Sequence, residues 1–135
     1  MNQLDTIISN ITQSANLALI TLDCAFGKIH TLVVVDESRV WKVGDKVKAI
    51  FKQTQVLVCK TKDSLKSHTP QFSLPTKNYI ISKIVEIERE EILTRVECEA
   101  GISALIASID SNGLEVGQEC AWIVAPSDIL LELQA

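Results

Sequence analysis

The chain says the same thing twice, and that repeat limits its fold more than any other feature. Residues 38–52 read Ser-Arg-Val-Trp-Lys-Val-Gly-Asp-Lys-Val-Lys-Ala-Ile-Phe-Lys. A counterpart lies 73 positions on, where Ser111 answers Ser38 and Gly117 answers Gly44. Upstream, Asn-Gln-Leu-Asp-Thr-Ile-Ile-Ser-Asn-Ile (2–11) aligns without a gap on Asn-Tyr-Ile-Ile-Ser-Lys-Ile-Val-Glu-Ile (78–87), 76 positions on. That offset also carries Leu17 onto Leu93, Ile20 onto Val96 and Asp23 onto Glu99. The two offsets differ because Cys24-Ala-Phe-Gly-Lys-Ile in the first copy is only Ala100-Gly-Ile in the second. A hairpin turn tolerates such a length change, so the alignment is physically coherent.

Each copy predicts five short strands, near 3–12, 15–23, 28–35, 46–52 and 55–60, then 79–88, 91–99, 102–107, 119–124 and 128–133. The evidence is β-branched enrichment with period-two alternation, as in Thr94-Arg-Val-Glu-Cys-Glu and Lys46-Val-Lys-Ala-Ile. Val-Gly-Asp before an alternating run is a turn that launches a strand. Only Asp36–Lys42 and Asp110–Glu115 read as single helical turns. Five strands without a covering helix must close on themselves to protect their edges, so the expected fold is all-β, two tandem five-stranded OB-like barrels. The copies occupy 1–61 and 78–135. Between them, 62–77 is polar, holds Pro70 and Pro75, and reads as a linker. Barrels this small bury little surface, which predicts mutual support or association with other chains.

With 135 residues and 47% apolar content the chain can pack cores, but no segment approaches the roughly 18 apolar residues of a membrane span. Met-Asn-Gln-Leu-Asp lacks the basic start and apolar stretch of a signal peptide. A cytoplasmic location without membrane contact is the expectation. Cys24, Cys59, Cys98 and Cys120 form no C-x-x-C and read as small apolar residues of strands. His30 and His68 have no partners at metal-ligand spacing, so no bare metal cation is expected. The net charge of −4 disfavours a partner such as nucleic acid, whose affinity rests on clustered Lys and Arg. No nucleophile–base pair, Gly-rich phosphate loop or helix-turn-helix is present, so no catalytic residues are expected and the chain reads as a non-enzyme.

The opening Asn-Gln-Leu, the Ser38–Lys52 core spaced as S-x-x-x-x-V-G-D-x-V-x-A-x-x-K, and the apolar closing strand resemble the Mop domain, also called the molybdenum-binding TOBE domain. The tandem layout is similar to that of di-Mop proteins, and the two copies cover nearly the whole chain. Val124-Ala-Pro-Ser-Asp-Ile-Leu-Leu makes the second copy nearer to the TOBE domains of anion-transport ATPases. The resemblance implies intracellular binding, storage or buffering of molybdate or tungstate, held as oxyanion ligands between subunits of a homo-oligomer, usually a trimer. It also implies site residues. Ser38 matches the core serine and Lys52 the core lysine, while Val35 stands where a threonine is usual. Ser108 and Ser111 match both hydroxyl positions of the second copy, where Ala125 replaces the lysine. Lys77 matches the basic residue of an arm reaching over from a neighbour; the first copy opens on Met1-Asn2 without one.

A tetrahedral dianion presents only acceptors, so serine hydroxyls, turn amides and an ammonium are the right chemistry for it. The ordinary role of Ser38 and Ser111 is turn capping, and that of Lys52 and Lys77 is solvation. Asp36 and Asp110 are turn formers that would repel a dianion. Trp41 and Trp122 occupy different places in the two copies and read as core or interface residues. Two other functions fit the sequence less well. An OB-type nucleic-acid binder needs stacking rings along a basic groove, against two Trp, one Tyr and three Phe in an acidic chain. An interaction module that kept its assembly and lost its ligand fits the incomplete sites.

Overall fold

A computed structural model describes residues 1–60 and 77–134. The expected linker, Lys77 apart, lies outside the described residues, as does His68. Ten strands form two antiparallel five-stranded sheets, so the chain is all-β, as its repeat predicts. The first copy supplies β1 (Asn2–Ser14), β2 (Leu17–Cys24), β3 (Gly27–Val34), β4 (Lys46–Phe51) and β5 (Leu57–Lys60). The second supplies β6 (Asn78–Arg89), β7 (Leu93–Cys98), β8 (Ser103–Ala107), β9 (Glu119–Val124) and β10 (Leu130–Leu133).

The sheets do not follow the repeats. Their orders are β10-β4-β1-β2-β3 and β5-β9-β6-β7-β8, so each copy's fifth strand closes the other copy's sheet. Leu131 lies opposite Ala49, and Cys59 opposite Ala121. Closure by one's own last strand is the simplest sequence expectation. The chain instead covers the free edges of β4 and β9 by exchange. One continuous core results, in which Phe51 and Val56 of the first copy join Trp122, Ile129 and Leu131 of the second.

Local chemistry explains the elements. In β1 the alternation turns Asn2, Leu4, Thr6 and Ile8 inward. Each long strand carries a bulge at the same place in its repeat, at Ile8–Asn10 and Ile84–Glu86. The glycine turns lock onto these bulges: the Gly44 N–H donates to the Ile8 carbonyl (2.8 Å) and the Gly117 N–H to that of Ile84 (2.7 Å). Both glycines have positive φ, +96° and +90°, a conformation in which a side chain is strained. The Val-Gly-Asp signal is therefore a brace between β1 and β4. The extra residues of the first hairpin have a place too, since Ala25 and Phe26 line a cleft of the second half beside Ile81 and Lys83.

Two expected helical turns differ. Asp36–Lys42 is a tight turn with a single bridge from Asp36 to Arg39, because the Asp36 carboxylate accepts the Ser38 N–H (2.9 Å) and diverts the backbone. The second helical turn lies earlier than expected, as a 3-10 turn at Ser108–Ser111. A further 3-10 turn, Gln53–Gln55, delays the start of β5. Trp122 is fully buried and its indole N–H donates to the Ser82 carbonyl (3.1 Å), while Trp41 packs on the rim of the core.

Candidate functional site

Two asparagines hold the halves together, and both open a repeat. The Asn2 side chain donates to the Ser103 carbonyl (2.8 Å) and accepts the Ser103 N–H (2.8 Å). Asn78 does the same to His30, with its amide donating to the carbonyl (2.9 Å) and accepting the N–H (2.7 Å). Each is 4% exposed. The Asn-Gln-Leu signal thus marks a two-point clasp on an edge strand of the opposite sheet. His30 offers its backbone to this clasp, while its ring Nδ1 lies 3.1 Å from the Thr21 hydroxyl. The sequence reads it as an ordinary surface group; it is half-buried, and burial pushes its imidazole below the ordinary range, with Lys28 adding to the effect.

Beside each clasp the sheet end carries one lysine. Asn2 pairs with Phe51, so Lys52 follows at the next step, across from Met1. Asn78 pairs with Val124, so the next step sets Lys77 across from Ala125. The second copy thus has Ala125 at the place of Lys52, with Lys77 one residue before the Asn78–Val124 pair on the adjacent strand. Both lysines are exposed and neither forms an ion pair with a described residue. The Lys52 backbone is fixed by Gln55, whose side-chain oxygen accepts its N–H (2.9 Å).

The serines differ from the lysines in being engaged. Ser38 is exposed, and its amide and hydroxyl both serve Asp36, holding that carboxyl below its usual range. In the second turn the Ser108 hydroxyl donates to the Glu90 carbonyl (2.6 Å) and lies 2.9 Å from the Thr94 hydroxyl. Ser111 is buried and donates to the Ser108 carbonyl (2.7 Å). Ser108 and Ser111 thus share one turn, while no hydrogen bond joins Ser38 to Lys52.

Sequence reading missed three contributors. Arg89 donates to the carbonyls of Leu114 (2.7 Å) and Ser111 (3.4 Å), holding the second turn. Arg39 reaches the Leu131 carbonyl of β10 (3.5 Å) and lines, with Trp41 and Ser127, a cleft of about 550 Å³ between the first turn and the exchanged strand. Lys60 arrives at the second turn only through strand exchange. Hydrophobic pattern signals none of these: Arg39 and Lys60 depend on which sheet a strand joins, and Arg89 on how its own repeat folds back over the second turn.

No model of a known protein family matches the chain, and no curated protein matches its sequence. Among solved structures, the chain is similar to the cytoplasmic molybdate-binding protein ModG in a crystal form with molybdate bound. The TM-score is 0.84 at 18% identity, over 98% of this chain and 96% of that one. The two proteins share a fold from end to end.

Proposed function

We propose that the chain binds molybdate or tungstate in the cytoplasm, storing or buffering the oxyanion at sites completed between subunits of a homo-oligomer. The observation that carries this reading is the full-length fold match to a protein solved with molybdate bound. The sheet ends support it, each offering one lysine beside an asparagine clasp. In this reading Lys52 and Lys77 are the charged ligands, Ser38 is a hydroxyl donor at the first turn, and Ser108 and Ser111 donate at the second after exchanging their present carbonyl partners.

Association is supported by apolar residues left exposed in matching pairs. Val43 and Val116 are each 64% exposed, and Leu57 and Leu130 are 60% and 68% exposed. Repeated exposure at corresponding places fits an assembly that covers both halves alike, and a trimer is the arrangement the sequence resemblance implies.

Calorimetric titration with molybdate, tungstate, sulfate and single-stranded DNA tests the function. Saturable binding of molybdate and tungstate, with none of DNA, is the expected result; DNA binding alone overturns it. Lys52→Ala and Lys77→Ala should each weaken one class of site by about 1.5–3 kcal/mol, the range for a charge-assisted hydrogen bond, or roughly ten- to a hundredfold. A merely solvated lysine would cost under about 1 kcal/mol. One observation favours a second reading, an assembly module without ligand: the hydroxyl protons of Ser108 and Ser111 are already given to carbonyls. Titration without heat for any oxyanion is its signature.

A further inference from the structure

Aligning the repeats leaves the second turn without a lysine of its own, because Ala125 stands where the first copy has Lys52. Strand exchange supplies one. β5 comes from the first copy but lies beside β9, where Lys60 pairs with Cys120. From there its ammonium extends over the turn that follows Ser108–Ser111. The Lys60 Nζ stands 3.1 Å from the point a Cβ on Gly113 would occupy, and Cε stands 3.8 Å from it. Gly113 has φ +85°, so this place suits a residue without a side chain, and the ammonium occupies the space a side chain would take.

The surroundings leave that charge available. Among the described residues no carboxylate lies within ion-pair distance of the Lys60 ammonium. Arg89, the other cation at this turn, has its guanidinium on the carbonyls of Ser111 and Leu114. The hydroxyls of Ser108 and Ser111 are also donated to carbonyls. Asp110 places a negative charge in the turn itself, so an anion can settle there only if an ammonium offsets it. The corresponding place in the first half is Leu133, which is exposed and uncharged.

We propose that Lys60, delivered across the halves by strand exchange, is a further anion-binding ammonium, acting at the second turn in addition to Lys77, with Arg89 as the positioning residue that holds the turn's shape. The ligand class is a tetrahedral oxyanion, and the proposal rests on the reading that this chain binds one. Its chemistry is non-covalent: three ammonium donors on a flexible stem meet an acceptor-only dianion.

Titration of the whole protein with molybdate, comparing the parent with Lys60→Gln, Lys60→Arg and Lys46→Gln, tests it. Lys60→Gln should weaken one class of site ten- to a hundredfold while melting like the parent. Lys60→Arg should keep most of the affinity, and Lys46→Gln, an exposed lysine of β4 away from the turn, should change nothing. If the parent binds molybdate and Lys60→Gln binds it equally, in affinity and stoichiometry, Lys60 is no ligand. Equal losses in Lys60→Gln and Lys46→Gln point to general charge and also overturn the assignment. A parent that binds no oxyanion overturns the functional reading itself, and this proposal falls with it.

Discussion

Neither 1–61 nor 78–135, produced alone, should give a folded monomer. In the first segment β4 loses β10, which covers Val47 to Ile50 along its outer edge, and β5 loses the β9 ladder that holds it. In the second, β9 loses β5 and β10 has no β4. The damage extends beyond hydrogen bonds. Phe51 and Val56 pack in one core with Trp122, Ile129 and Leu131, so separation exposes large apolar side chains on both sides. At about 25 cal/mol per Å² of apolar surface, a few hundred Å² of new exposure matches a small domain's whole stability. Circular dichroism with sizing by light scattering checks this. The expected result is an unfolded segment, or a dimer that repeats the exchange with itself, and recovery of β signal when the two segments are mixed. A folded, monomeric half would show that its fifth strand can close its own sheet.

Asn2→Ala and Asn78→Ala should each cost about 2–4 kcal/mol, because each leaves a backbone N–H and a carbonyl of the opposite half without partners. The two losses should agree within about 1 kcal/mol, since the clasps are related by the repeat. Asn→Asp at either place should be no milder. A carboxylate keeps the acceptor for the N–H but sets negative charge against the carbonyl that the amide now serves. Urea denaturation of the four variants measures this. Losses below about 0.5 kcal/mol would mean that water replaces the clasp and that the asparagines matter for something else.

How legible this was in the sequence depended on the range of the interaction. Local signals read well. Alternation located all ten strands to within a few residues, and the offsets of 76 and 73 aligned Asn2 with Asn78 and Gly44 with Gly117 before their shared roles were visible. What failed to show was pairing. Leu57-Val-Cys-Lys and Leu130-Leu-Glu-Leu fit either sheet equally well, because a closing strand needs only alternation and a free edge. The site suffered from the same ambiguity. Ser38, Lys52, Lys77, Ser108 and Ser111 were reached by motif position alone. Their surroundings depend on strand pairing, since the β6–β9 register sets Lys77 across from Ala125 and the exchanged β5 brings Lys60 over Gly113. The turn shapes were misjudged for a smaller reason: the Asp36 carboxylate captures the Ser38 N–H, and a side-chain bond of that kind competes with a helical turn.

Native mass spectrometry of the intact protein, desalted and then exposed to molybdate, addresses the central claim most directly, because one spectrum reports both the number of chains and the oxyanions they hold. The account predicts an assembly of several chains, three by the sequence resemblance, that gains discrete molybdate mass increments and takes up fewer when Lys52 and Lys77 are both replaced by alanine. A single chain that gains no increment at any molybdate concentration would contradict it.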